Sequence, residues 1–305
     1  MKVLQAARLM LCGHVMLFTF GCSRKSSPVA IEELPNKLVL FKMSTGNVIG
    51  TVGDERALLI GTPSAESTPA ISKFIATKTK SSILIVVIAD SPIDESQGDA
   101  GWGRKGAFVV MQENGLGRLG GHSMGLPLPL PPQLSQLGVD RPKISFSDVI
   151  AFDFKDEAVH IVHQAPGFSN GDWLVHFHIA NLVYFGRAFP GDGYPDIDLA
   201  RGGSLDGLIT QLTPWTDGSM RVIPMRGEPT DGNTVREFLE MLKTVRDRVD
   251  KLISQGASEQ KVEAADVTKE FDGRWGRHGR TASRLFVHEA FLSEMQKQPV
   301  PQRTP

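Results

Sequence analysis

The chain has 305 residues, of which 41% are hydrophobic, and 33 Lys and Arg stand against 34 Asp and Glu. This length allows one large hydrophobic core or two moderate ones. The formal net charge of −1 creates no overall field that would attract a nucleic-acid backbone, so the composition argues against a nucleic-acid partner.

The N-terminus has the composition of an export signal. Basic residues precede an apolar stretch at 9–20, and Gly21 precedes Cys22. This pattern resembles a bacterial lipoprotein signal over 1–22, which implies cleavage before Cys22, a lipid on that cysteine and attachment to a membrane on the periplasmic side of the cell envelope. Ordinary secretion and a retained anchor are alternatives, although the apolar stretch is shorter than the roughly 20 residues that span a membrane.

Cysteine chemistry is limited to Cys12 and Cys22. Cleavage before Cys22 would leave the exported chain without a disulfide or a thiolate ligand, so any metal site would have to use histidine and carboxylate. The polar residues 23–35 predict a tether, and we expect ordered structure to begin near Lys37.

Short apolar runs separated by turn residues predict a meander of β-strands after the tether. The run Ile83–Ile88 is too short for a helix and rich in β-branched residues, which indicates a buried strand. A second such run at 107–110 predicts a parallel neighbour for it. The other predicted elements of this half are strands at 38–41, 48–49 and 57–60 and a helix at 68–77.

An acidic loop follows the strand Ile83–Ile88. Asp90, Asp94 and Glu95 lie within six residues at the end of this strand, where α/β proteins usually carry their chemistry. A solvated acidic turn is the simpler interpretation of the same residues.

The second half of the chain contains the clearest helix. Apolar residues recur at helical spacing over 234–255, Thr234 and Glu237 match a capping box, and Gly256 is a suitable stop. The remaining predictions are strands at 144–154, 158–163 and 222–224, a hairpin at 173–185 and a helix at 198–212.

Three segments carry a resemblance to a known family, namely Gly193–Ile209, Met241–Val249 and Phe271–Gly276. With the order of the predicted elements, they resemble the metallo-β-lactamase superfamily, and within it the periplasmic relay-type hydrolases. The resemblance implies an α/β fold, a four-layer αββα sandwich in which two mixed sheets pack face to face. It places this domain at 36–276 and leaves 277–305 as a partly disordered C-terminal extension.

The zinc-ligand pattern of that family is the part that this sequence does not match. The motif His-x-His-x-Asp-His falls on the acidic loop and keeps only Asp94. Proline and phenylalanine offer no metal ligand, and two arginines would repel a dication, so the resemblance predicts a lost zinc site and no cofactor. The corresponding positions, which we expect to line a vestigial pocket, are Gly61, Asp90, Pro92, Asp94, Glu95, Phe168, Arg187 and Arg226.

Two functions are compatible with these residues. The first is an exported pseudoenzyme that binds a small molecule or a protein in the former active-site groove, with at least one of Arg187 and Arg226 paired to Asp94 or a neighbouring carboxylate in place of the metal. The second is a hydrolase with a rebuilt site, in which Asp90, Asp94 and Glu95 hold a hard cation or act without a metal.

Other candidate motifs are weaker. His176 and His178 share one face of a strand and could form half of a metal site, although a hydrogen-bonded sheet face is the simpler interpretation. Ser123 has glycines on both sides at serine-hydrolase spacing but lies in a proline-rich crossover. The proline-rich stretch at 126–132 is a possible docking motif for a partner domain.

Overall fold

The computed structural model describes residues 29–54, 56–61, 64, 66–81, 84–88, 102, 106–118 and 144–297. Within these ranges the chain forms two β-sheets that pack face to face, with helices on the outer face of each. The predicted four-layer αββα sandwich is therefore confirmed.

The first sheet has seven strands in the order of the sequence. Its early strands are antiparallel, and the pairs from β4 onward are parallel. Helices α1 (Thr68–Lys78) and α2 (Glu113–Arg118) belong to this half. The strands are β1 (Ala30–Glu33), β2 (Leu38–Met43), β3 (Gly46–Val52), β4 (Ala57–Ile60), β5 (Leu84–Val87), β6 (Phe108–Gln112) and β7 (Ile144–Phe146).

The second sheet has six strands, and only the pair β11 and β12 is parallel. Its spatial order runs backward along the chain from β13 to β8. The strands are β8 (Val149–Phe154), β9 (Glu157–His163), β10 (Trp173–Phe177), β11 (Leu182–Tyr184), β12 (Arg221–Ile223) and β13 (Thr230–Asp231).

Two strand predictions need correction. Ala30–Glu33 pair with β2 as an edge strand, so they belong to the sheet and not to the tether predicted over 23–35. The single strand predicted at 144–154 is two strands in different sheets, because the chain crosses from one sheet to the other at residues 147–148.

The core has three apolar layers. Strands β2 to β5 are buried on both faces, which explains why they read as continuous apolar runs and not as alternating ones. The layer between the sheets contains, among others, Leu40, Ile49, Leu58, Val87, Val159, Ile161, Val175, Phe177 and Leu182.

The long helix predicted at 234–255 spans Gly232–Ser254 as α4. Its cap differs from the prediction, because the Asp231 side chain accepts the hydrogen bond from the Thr234 backbone N–H (3.0 Å). The helix predicted at 198–212 is a 3₁₀ turn at Leu199–Arg201 followed by α3 (Leu205–Leu212), which Ser204 caps.

The C-terminal helices complete the outer layer of the second sheet. Short helices α5 (Glu259–Ala264) and α6 (Asp272–Trp275) precede α7 (Arg280–Met295). Helix α7 is absent from the elements predicted above, yet Phe286, Val287 and Ala290 bury its inner face in the core beside α4. Among the described residues, no helix has both the length and the apolarity that crossing a membrane requires.

Candidate functional site

The loop between β9 and β10 is organised by one buried carboxylate, that of Asp172. It accepts hydrogen bonds from the backbone N–H groups of Gly167 (3.2 Å), Phe168 (2.7 Å) and Ser169 (2.9 Å). The Ser169 hydroxyl (3.1 Å) and the Gln211 side-chain amide (2.8 Å) also donate to it. These contacts fix the backbone that presents Phe168.

Burial raises the pKa of the Asp172 carboxyl, and the hydrogen bonds from Gln211, Ser169 and Phe168 oppose that rise. Asp172 is only 8% exposed. Because so many donors converge on it, its carboxylate is a structural anchor of the loop and is not available to a ligand.

Arg187 and Phe168 face each other across the end of the second sheet. Arg187 lies in the 3₁₀ turn Gly186–Ala188 that follows β11. Its guanidinium carbon is 4.3 Å from the centroid of the Phe168 ring, which is a close cation–π contact. Phe168 is 5% exposed, so the contact is largely shielded from water.

The segment that carries Arg226 is held by the hairpin of β2 and β3. The Asn47 side chain donates to the backbone oxygens of Pro224 (3.0 Å) and Gly227 (2.9 Å), and its own N–H donates to the Met225 oxygen (2.7 Å). The Arg226 N–H in turn donates to the Pro190 oxygen (3.0 Å). Residues 224–227 thus lie beside residues 190–192, and the two segments together form one wall of the cavity described below.

Gly61 directly follows β4 with φ of +111°, a conformation that favours glycine. A Cβ at this position would lie 3.0 Å from the Asn47 oxygen and 3.2 Å from the Tyr184 hydroxyl. Steric crowding and backbone conformation therefore both disfavour a side chain at Gly61.

A cavity of about 210 Å³ opens at this end of the sandwich. Three of the residues predicted for the vestigial pocket line it together, namely Phe168, Arg187 and Arg226, whereas Gly61 does not. The other predicted positions, Asp90, Pro92, Asp94 and Glu95, lie outside the described residues, and so do Cys22 and Ser123. The remaining lining residues are Pro190, Asp192, Tyr194, Asp196, Met225, His278 and Ala282.

Asp192 and His278 are cavity residues that sequence reasoning missed. The His278 Nε2 atom is 3.5 Å from Asp192 Oδ2, and Asp192 Oδ1 is buried with no hydrogen-bond partner among the described residues. These two residues are distant in sequence, and His278 lies beyond the segments that carry the family resemblance. No local pattern signals that the fold brings them together.

Solved structures that are similar in shape include several metallo-β-lactamases. The DIM-1 metallo-β-lactamase exposed to ceftazidime superposes with a TM-score of 0.55 at 12% identity, covering 72% of this chain and 98% of that one. The Pontibacter korlensis metallo-β-lactamase gives 0.54 at 11% identity, with coverage of 71% and 99%. TMB-1 gives 0.51 at 15%, with coverage of 70% and 97%.

The chain has the metallo-β-lactamase fold. At identities of 11–15% the likeness establishes the architecture and not the activity. No family model and no curated protein matches the sequence. The assignment of the fold therefore rests on the order of sheets and helices described above.

The zinc centre associated with the metallo-β-lactamase fold does not fit the cavity residues described here. Phe168 supplies no ligand atom, and the Arg187 and Arg226 guanidinium groups are permanent cations that repel a dication. Among the described residues, no group of three or more His, Cys, Asp or Glu side chains is arranged to hold a metal ion.

A histidine cluster lies on the second sheet, away from the cavity. The rings of His176 and His178 are 4.1 Å apart, and His178 Nε2 is 2.9 Å from His160 Nδ1. Strand register adds His160 to the predicted pair, because it lies opposite His176. Burial and the neighbouring histidines lower the pKa of His176, so its imidazole favours the neutral form on this sheet face.

Proposed function

We propose that this protein is an exported pseudoenzyme of the metallo-β-lactamase fold, which binds a small molecule in the cavity at the end of the sandwich. One observation carries the proposal, the Arg187 guanidinium stacked 4.3 Å from the Phe168 ring. In the frame of the family resemblance these positions belong to a metal ligand and a bridging carboxylate. We propose that this organic cation on an aromatic face takes the place of the metal and its ligands.

Loss of the metal removes the chemistry of the fold's hydrolases. A bound metal would supply an activated hydroxide and a Lewis acid, and arginine and phenylalanine supply neither. The scaffold that frames the cavity is nevertheless intact, because Asp172 and Asn47 hold its two walls through buried hydrogen bonds. A preserved cavity whose described residues do not fit the zinc centre favours binding over turnover.

We further propose that Cys22 carries a lipid that attaches the protein to a membrane on the periplasmic side, with no nucleic-acid partner. The export-type N-terminus and the net charge of −1 support these two points respectively.

Metal content and hydrolysis test the loss of the inherited reaction. We expect elemental analysis of the purified protein to find no stoichiometric metal. Arg226→His restores one ligand type but leaves Phe168 and Arg187 in place, so ester, thioester and β-lactam hydrolysis should stay at background. Stoichiometric zinc, or zinc-dependent turnover by this variant, would contradict the proposal, and a stoichiometric hard cation would favour the hydrolase with a rebuilt carboxylate site.

A thermal-shift panel of small anionic, cationic, zwitterionic and neutral compounds tests the binding role. Ala282 lines the cavity from helix α7, so Ala282→Phe should fill it and abolish any stabilisation seen with the parent protein. Arg284→Phe places the same side chain on the exposed side of that helix and serves as the control. A panel without any hit, or hits that persist in Ala282→Phe, would rule out a ligand in this cavity.

A further inference from the structure

The cavity is lined by charged groups of opposite sign, two of which, Arg226 and Asp192, do not form an ion pair with each other. Arg226 lines it, and within the described part of the chain no carboxylate forms an ion pair with its guanidinium. Asp192 lines the same cavity, and its Oδ1 atom is buried without a described hydrogen-bond partner. A carboxylate that lines a cavity and has so few donors gains from a ligand group that donates to it.

The two groups stand on adjoining segments. The Arg226 N–H donates to the Pro190 oxygen (3.0 Å), and a Cβ on Gly227 would lie 3.9 Å from the Asp192 Cβ. A Cβ on Gly191 would lie 2.4 Å from the Arg226 oxygen, so the two backbones are in close contact. The side chains of Arg226 and Asp192 nevertheless do not pair with each other, although the segments that carry them touch.

His278 lies beside the Asp192 carboxylate but does not satisfy the hydrogen-bonding capacity of both its oxygens. Its imidazole lies 3.5 Å from Oδ2, and the other carboxylate oxygen, Oδ1, is the one without a partner. Tyr194 also lines the cavity, but its hydroxyl donates to Asp272 Oδ1 (2.8 Å) and is committed to the fold. Arg226 and Asp192 are thus a cation and an anion of the cavity with bonding capacity left for a ligand.

We infer that the ligand is a small zwitterion with the chemistry of an α-amino acid, whose carboxylate pairs with Arg226 and whose ammonium donates to the Asp192 carboxylate. This inference rests on the proposed binding function and names its ligand class. The volume of about 210 Å³ is smaller than the roughly 300–1,000 Å³ typical of sites for drug-sized ligands. Phe168, Pro190 and Met225 provide apolar lining for a short aliphatic side chain.

Titration calorimetry with L-leucine and its two truncated analogues tests the ligand class. The compound 4-methylpentanoate lacks the ammonium, and isoamylamine lacks the carboxylate, while both keep the aliphatic chain. Each charge-assisted contact is worth about tenfold or more in affinity, so leucine should bind the purified full chain at least about tenfold more tightly than either analogue.

Two variants assign the contacts. Asp192→Asn should remove the preference for leucine over 4-methylpentanoate, and Arg226→Gln should remove the preference over isoamylamine. Arg277→Gln and Asp250→Asn make the same chemical changes at exposed positions outside the cavity and should leave both preferences intact. The readout is a ratio of affinities within one variant, so partial unfolding of a variant does not imitate the result.

Leucine binding that is no tighter than that of the analogues, or preferences that survive both cavity variants, would overturn the inference. If leucine fails while another panel compound stabilises the parent protein and not Ala282→Phe, the zwitterion is wrong and the binding function stands. If no compound acts through the cavity, both are wrong.

Discussion

Asp172 and Asp192 are both carboxylates at the same end of the sandwich, and their surroundings differ sharply. Asp172 accepts hydrogen bonds from three backbone N–H groups and two side chains. Asp192 has one imidazole 3.5 Å from one oxygen, and its other oxygen has no described partner. The carboxylate that builds the loop is satisfied within the fold, whereas the carboxylate that lines the cavity is not, and this difference separates a supporting role from a binding role.

The largest expected effect comes from the structural carboxylate, Asp172. Asp172→Ala would leave buried donors of Gly167, Phe168, Ser169 and Gln211 without an acceptor, so we expect a loss of about 3 kcal/mol or more in the free energy of unfolding. Urea denaturation measures it. Asp250→Ala, at an exposed position of helix α4, should change stability by less than about 0.5 kcal/mol. An equally small loss for Asp172→Ala would remove the distinction between the two carboxylates.

The fold was more accessible from the sequence than the site. Continuous apolar runs predict the buried strands, and helical spacing predicts α4, because these signals are local. The crossing at 147–148 was missed because strands β7 and β8 are nearly contiguous and only their partners reveal two sheets. Helix α7 was missed because its N-cap position, Gly279, makes no side-chain cap hydrogen bond and gives no start signal.

The site depends on contacts between distant segments. Phe168, Arg187 and Arg226 were reached through the family resemblance, not through their own chemistry. Neither the Asp192–His278 contact nor the Phe168–Arg187 contact has a local sequence signal, since each joins separate loops. The pairing predicted between an arginine and Asp94 stays a prediction, because Asp94 lies outside the described residues.

Glu289 is an intermediate case, a half-buried carboxylate with one backbone donor, the N–H of Ile197 (2.8 Å). Burial, with Asp196 and Asp198 nearby, raises its pKa from 4.5 to about 7, and the Ile197 hydrogen bond and His288 oppose the rise. Between these pH values the unfolded chain has lost the proton and the folded chain keeps it. Stability contributed by Glu289 should therefore fall as pH rises from about 4.5 to about 7.

Glu289→Gln keeps an acceptor for Ile197 and removes the titration. We expect it to stabilise the protein by about 1–2 kcal/mol at pH 8 relative to its effect at pH 5, a figure already reduced for partial exposure. Thermal melts of the parent and the variant across this pH range measure the difference in stability. His176 has the opposite pH dependence, but it is present in both proteins, so its contribution cancels in the difference. Glu240→Gln makes the same change on an exposed helix face. A pH-independent effect of Glu289→Gln would show that partner number does not set the behaviour of these carboxylates.

The smallest expected effect concerns the contact between Arg187 and Phe168, which both line the cavity. A double-mutant cycle with Arg187→Gln and Phe168→Leu cancels whatever else each side chain contacts and leaves their mutual energy. At 4.3 Å from guanidinium to ring, and with Phe168 only 5% exposed, we expect a coupling of about 1 kcal/mol by denaturant unfolding. The pair Arg248 and Phe271, 5.8 Å apart, provides the comparison and should couple more weakly.

A measurable Arg187–Phe168 coupling would mean that the cation–π pair stabilises the fold at the position proposed for the metal. Arg187 would then have a structural role, as Asp172 does. Arg226 would then be the cavity cation left for a ligand. A coupling near zero has the opposite consequence, because the aromatic face would then add nothing to the stability of the fold and the cation–π pair would not count as a stabilising contact.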